Sequence, residues 1–330
     1  MGYEIKVILL VIAIIALVGN SLTVLLFVKK SKWLKKAYGC LIFALSIQDI
    51  LLAICLLSHP SIILDGNIFP MPSSPMARVM FCSFVWSHYF PFALGVTSVY
   101  TCLMLTIDRW FAAVRPMHYR RHEHSAKIVS AMVLIPWIAG FGFEITSPLN
   151  AKPTKLNDTF VCRWTKFPNP QGRVCLALFS FLGMIFIPAI LMTIAYVHVI
   201  LHVKKSTSRV SVNLRHGRRP NWRNTGKVSV LKRVTLTAFF ASLVVILCWL
   251  PDQLYYALSQ IGVTELGTTG HSFVKILAFG NSCVNPIIYC FSNKEYRKGF
   301  KEIICFACAA ENERDIGLST AEHNLPHIVT

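Results

Sequence analysis

Long apolar runs along this chain alternate with short polar connectors. Seven runs stand out, at about 5–28, 39–64, 79–114, 128–148, 175–203, 234–261 and 273–291. Each is a membrane-helix candidate, because about 20 residues rising about 1.5 Å apiece cross the hydrocarbon. The first run is too long, and too poorly matched to a small-residue cleavage site, for a signal peptide, so it reads as a retained helix with almost no N-terminal tail. No stretch inside the chain is long enough for a separate soluble domain, and no repeat is evident. After the seventh run, 293–304 places Tyr296, Phe300 and Ile303 or Ile304 on one face and the cations on the other, as an interfacial helix does. The expected fold is therefore an all-α membrane protein: a seven-transmembrane helix bundle over 1–308, with a short amphipathic helix after the seventh span and a tail over 309–330.

Composition agrees with that reading. Of 330 residues, 54% are hydrophobic and 15% charged, with a mean hydropathy of +0.54, where a soluble domain carries about 25% charged residues. A net charge of +18 raises nucleic acid as a partner, but its placement points elsewhere. The connectors after runs one, three and five and the segment after run seven, together with Arg109 at the inner end of run three, hold 25 of the 33 Lys and Arg. Basic residues gather on the cytoplasmic side, so the N-terminus is expected outside and the C-terminus inside a plasma-membrane protein. The strongly basic connector between runs five and six reads as a solvated linker facing anionic lipid, making membrane lipids a partner and nucleic acid none. His118, His122 and His124, on a basic connector, read as solvated rather than metal-binding.

The same topology sorts the sequon and the cysteines. Asn157-Asp158-Thr159 lies between runs four and five, on the expected outer side, so Asn157 is a candidate for glycosylation, the alternative being an unmodified chance tripeptide. Most of the eleven cysteines lie within runs, where a thiol behaves as a small apolar group. Cys82, at the outer end of run three, and Cys162, in the long outer connector, both face the oxidising side and are the expected disulfide, with Cys175 as a rival partner. Cys305 and Cys308 follow the amphipathic stretch and are candidates for palmitoylation, or else free thiols.

Polar residues inside a membrane helix are costly and are functional candidates by default. Run one holds Gly19-Asn20, run two Leu45-Ser46-Ile47-Gln48-Asp49, and run three ends with Asp108-Arg109-Trp110 and then Arg115-Pro116. Run four carries Trp137, run five Pro188 and Tyr196, run six Cys248-Trp249-Leu250-Pro251, and run seven Asn285-Pro286-Ile287-Ile288-Tyr289. In this order, one set per helix, these residues closely resemble the rhodopsin-like (class A) family of G-protein-coupled receptors, over about residues 5–308.

The resemblance implies a receptor that binds an extracellular ligand and activates heterotrimeric G proteins through movement of helix six about Pro251, with no covalent chemistry of its own. It implies that Arg109, beside Asp108, is freed on activation to meet the G protein; the alternative is an interfacial anchor. Tyr196 and Tyr289 then bond through water between helices five and seven, or else sit in an aromatic belt. Pro286 and Pro188 break the backbone ladder and supply flexible points. Asp49, with Asn20, Ser98, Asn281, Ser282 and Asn285 converging on it, suits a monovalent cation such as Na⁺ as an allosteric ion, and no other cofactor is expected. A neutral, hydrogen-bonded Asp49 in a structural network is the alternative.

The chain also departs from the family pattern. Cys82 precedes Arg109 by 27 residues, about two more than is usual, which a bulge or kink near Pro91 would absorb. Val245 stands where Phe is usual, Trp110 replaces Tyr, and Val230–Val234 lacks the acid that in many relatives locks the arginine. No acid lies between Cys82 and Ile107, against an amine receptor, and Phe279 stands where opsins carry their lysine, with Lys275 a turn too early. What remains for a ligand is His88, Tyr89, Glu144, Trp249 as floor, Asp252, Gln253, Tyr256 and Lys275. Two opposite charges and aromatics under a lid-length connector suggest a peptide, most simply a neuropeptide, with Asp252 or Glu144 meeting a cation and Lys275 a carboxylate. The alternative is that Asp252 and Lys275 pair with each other. The rival functions are a receptor for a non-peptide small molecule and, further off, a transporter or channel, against which an odd helix count without repeats argues.

Overall fold

The computed structural model describes residues 3–59, 70–122, 125–156, 159–165, 169–215, 222–292 and 294–305. Seven helical stretches are long and apolar enough to cross a membrane: Tyr3–Lys29, Ala37–Ser58, Pro75–Val114, Ala126–Asn150, Pro170–His202, Val234–Gln260 and Thr269–Phe291, here spans one to seven. A further helix over 294–305 follows. It buries Tyr296 and Phe300, with Tyr296 set against Phe27 and Trp33 at ring separations of 6.0 and 4.8 Å. Asn157 and Cys308, the expected glycosylation and second palmitoylation sites, lie outside the described residues; Cys305 is exposed with a free thiol.

The span limits differ from the apolar runs for local reasons. Span two stops at Ser58 rather than near 64, because His59 precedes a proline and is extended, at φ −79° and ψ 127°. A residue before proline is pushed out of the helical region by the ring. Span five starts earlier than expected, at Pro170, where the Asn169 side chain accepts from the Gln171 N–H at 3.0 Å and Pro occupies the first turn. Its π-helical turn over Leu182–Phe186 precedes Pro188, whose ring cannot tolerate the carbonyl four residues back.

Span three takes up its surplus residues before Pro91 rather than at it. Pro75–Met80 is helical, Phe81–Trp86 is a π-helical turn, and His88 adopts the left-handed conformation at φ 61°. A fresh helix then runs over Tyr89–Val114, which puts Pro91 in its first turn, where proline does no damage. This helix is the most buried and forms the axis of the bundle.

Helix contacts are close where glycine allows it. A side chain at Gly95 would place its Cβ 1.9 Å from the Trp249 ring, and one at Gly140 would come within 2.1 Å of Thr97 Oγ1. Polar side chains tie the spans together where no water competes. Asn20 Nδ2 donates to the carbonyls of Ala16 and Ser282, each at 2.9 Å, and Tyr100 donates to the Gly183 carbonyl at 2.8 Å.

The connector between spans four and five, read from sequence only as a long lid, is an antiparallel hairpin of β1 (Ala151–Leu156) and β2 (Thr159–Trp164), with Pro153 opposite Cys162. Cys82 and Cys162 form the expected disulfide, and Cys175 is free. Ser83 Oγ donates to the Ala151 carbonyl at 3.3 Å, and Arg78 stacks 3.7 Å from the Phe160 ring centre, so the hairpin is seated on the start of span three at several points.

Candidate functional site

Three groups of polar residues lie along the bundle, one at the hairpin end, one at mid-depth and one at the opposite end. At the hairpin end a cavity of about 610 Å³ opens, and six residues singled out in the sequence line it: His88, Glu144, Asp252, Gln253, Tyr256 and Lys275. They come from spans three, four, six and seven. Glu144 caps the main helix of span four and is bonded by the Ser147 hydroxyl. Asp252 and Gln253 follow Pro251 in span six, and Gln253 Nε2 donates to Asp252 Oδ2 at 3.4 Å. The left-handed backbone at His88 turns its ring onto His59, the two stacked with centres 4.4 Å apart.

Asp252 and Lys275 share this cavity without pairing. Ion pairs form elsewhere, between Lys30 and Glu302, at 3.7 Å, and between Arg109 and Asp108. Lys275 Nζ instead lies 5.8 Å from the Phe92 ring centre.

Trp249 lies below this lining rather than in it. Its indole is buried with Nε1 unpartnered, and Phe92 stands between it and the cavity, 6.3 Å from Trp249 and 5.5 Å from Phe279. Tyr89 also stays out of the lining and donates to the Phe141 carbonyl at 3.0 Å. Among the lining residues that sequence reasoning missed are Arg173, Phe92 and His271. Arg173 was missed because the apolar run begins after it, and only the Asn169-Pro170 cap could have extended the span back to include it.

At mid-depth Asn285 Nδ2 donates to Asp49 Oδ2 at 2.8 Å. Asp49 Oδ1, Asn20 Oδ1, Asn281 Oδ1, Asn285 Oδ1 and Ser282 Oγ are all buried without a hydrogen-bond partner. Ser98 is buried on span three and donates back to the Leu94 carbonyl at 3.2 Å. Unpaired oxygens crowded around a carboxylate are the donor set a hard monovalent cation requires, so these residues fit the expected ion chemically.

At the opposite end Arg109 is buried and held on three sides. Asp108 accepts from its Nε at 2.8 Å, Tyr119 accepts from Nη2 at 3.0 Å, and the guanidinium lies 4.5 Å from the Tyr38 ring centre. Trp110 donates its indole N–H to His198 Nδ1 at 3.0 Å. Tyr196 meets Thr106 and Ser242, both at 3.3 Å, joining spans three, five and six. Tyr289 has a buried, unpartnered hydroxyl and stacks toward Tyr296 at 5.6 Å, so the two tyrosines have separate neighbours here.

A seven-helix bundle with a roofed cavity at one end and a buried Asp-Arg pair at the other is the architecture of a membrane receptor. The profile of the 7 transmembrane receptor (rhodopsin family) matches residues 19–289, and the chain belongs to that family, whose members are receptors and not enzymes. It is similar to somatostatin receptor type 4 of Rattus norvegicus, 25% identical over 304 residues that cover 90% of this chain and 71% of that receptor. It is similar also to galanin receptor type 1 of Homo sapiens, 25% identical over 303 residues covering 89% and 79% of the two chains.

Proposed function

We propose that this protein is a plasma-membrane receptor for an extracellular peptide and that it signals through heterotrimeric G proteins. The observation that carries the reading is the hairpin-end cavity, where acids from spans four and six and a lysine from span seven stand unpaired with one another beneath a two-stranded roof. A peptide offers charges of both signs at fixed spacing together with backbone groups for the roof strands, as such a lining requires. The relatives support it, since both are named for peptide ligands, somatostatin and galanin.

In this reading the hairpin and the N-terminus are outside, and the basic connectors and helix 294–305 are inside. Ligand preference for one conformation of span six, swung about Pro251, opens a cleft beside Arg109 for the G protein. Asp49 and the oxygens around it hold Na⁺ in the resting state. The test is a library of peptides and small molecules applied to cells expressing the chain, read through several G-protein reporters. A peptide that activates only in those cells is the expected outcome. Activation by non-peptide compounds alone would transfer the reading to a small-molecule receptor, which the cavity's size also accommodates.

A further inference from the structure

Glu144 and Asp252 are remote in sequence, yet both acids line the same cavity. Asp252 is only 3% exposed. Its Oδ2 receives the single long contact from Gln253, and its Oδ1 has no hydrogen-bond partner among the described residues. Glu144, 7% exposed, receives the Ser147 hydroxyl on Oε1, while Oε2 has no partner among the described residues. Two carboxylates largely withdrawn from water in one cavity are each costly, and a cation bound by both relieves that cost. Lys275 makes no ion pair with either acid: it acts on the Asp252 charge only from beyond ion-pair distance, and its Nζ lies 5.8 Å from the Phe92 ring centre.

We propose that Glu144 and Asp252 form one cation subsite, built jointly by spans four and six, which takes the guanidinium or ammonium group of a basic residue in the ligand and leaves Lys275 for a carboxylate or carbonyl further along it. The assignment rests on the peptide reading above and sharpens it to a peptide with a basic side chain. A planar guanidinium presents donors to two carboxylates at once, whereas an ammonium is a point charge, so arginine is favoured over lysine. Because the two acids sit on different spans, one of them just past Pro251, occupancy draws span six toward span four at the hairpin end.

The experiment titrates the purified full-length receptor in lipid nanodiscs with Nα-acetyl-L-arginine amide and its lysine and citrulline counterparts, followed by saturation-transfer NMR. The arginine probe binds best, and citrulline, which keeps the shape and loses the charge, binds at least about tenfold more weakly. Asp252→Asn and Glu144→Gln each weaken the arginine probe by about tenfold, and the double variant loses clearly less than the product, since both acids serve one cation. Asp252→Glu and Glu144→Asp, which keep the charge, retain most of the binding and so separate loss of charge from loss of fold. Equal binding of the arginine and citrulline probes, or fully multiplicative losses in the double variant, overturns the shared subsite. In reporter cells, activation by a peptide without basic residues that is indifferent to both neutral variants overturns the subsite and leaves the peptide reading standing. Arginine-probe binding as expected, with no active peptide in the library, does the reverse.

Discussion

At Gly95 a single missing side chain decides how the cavity floor is built. The outer edge of the Trp249 indole lies against the backbone there, and a Cβ would sit 1.9 Å from the ring. Gly95→Ala is therefore expected to cost about 1–3 kcal/mol, the range for overpacking a tight contact. The melting temperature of the solubilised receptor falls, and Trp249→Leu in the same chain restores part of the loss; an unchanged melting temperature in Gly95→Ala would rule out this seating. Asp49 makes an opposite case, a residue short of partners rather than of space. If Na⁺ occupies this cluster, replacing choline by sodium in the buffer raises the melting temperature of the wild type, and Asp49→Asn removes the response. Only Asp49 could be chosen from sequence. A buried acid is conspicuous in an apolar run, whereas a glycine in a helix says nothing about which ring will lie on it.

Elements show where short-range chemistry overrides the apolar pattern. The run over 39–64 ends its helix at Ser58 because of a proline, and the run over 79–114 holds a π-helical turn and a left-handed residue. The hairpin is the larger surprise, and its anchoring makes it testable. Its disulfide closes 80 residues of chain, and by loop-closure entropy such a link stabilises by on the order of 4 kcal/mol. Cys162→Ser is expected to lower surface expression and the melting temperature together, and a variant as stable as wild type would mean that the Ser83 and Arg78 contacts suffice. At the other end Arg109 is restrained without an acid from span six: Tyr119, on the short helix Pro116–His122, takes that part with Asp108 and Tyr38. A hydrogen bond to a charged group contributes roughly 1.5–3 kcal/mol, so Tyr119→Phe should raise ligand-independent G-protein signalling severalfold. Basal signalling at the wild-type level would remove Tyr119 from the restraint.

Across the whole molecule the charge distribution predicts an orientation. With 25 of 33 basic residues, Arg109 among them, at one end of the spans, an N-terminal epitope tag should be detected on intact cells and a C-terminal tag only after permeabilisation. Glycosidase treatment should increase electrophoretic mobility, and Asn157→Gln should abolish that shift. A C-terminal tag exposed on intact cells would reverse the assignment of every site to its side.

The sequence by itself determined the seven spans, the short helix after them and the family, because each depends on hydropathy, on charge sidedness or on residue types at fixed spacing, whereas the choice of Cys162 over Cys175 as the partner of Cys82 came from the fold. Membrane crossing needs only length and apolarity, and those are written locally. What the tertiary structure decided is which residues meet. Glu144, Asp252 and Lys275 belong to three spans, and whether the last two paired or stood apart depended on rotations and tilts set by contacts such as Gly95 against Trp249 and Asn20 against Ser282. Arg173 joined the cavity because a cap extended a helix beyond its apolar run. Trp249 left the lining because Phe92 came between. A periodicity places a side chain on a face of its own helix, and only close contact between helices says what that face will see.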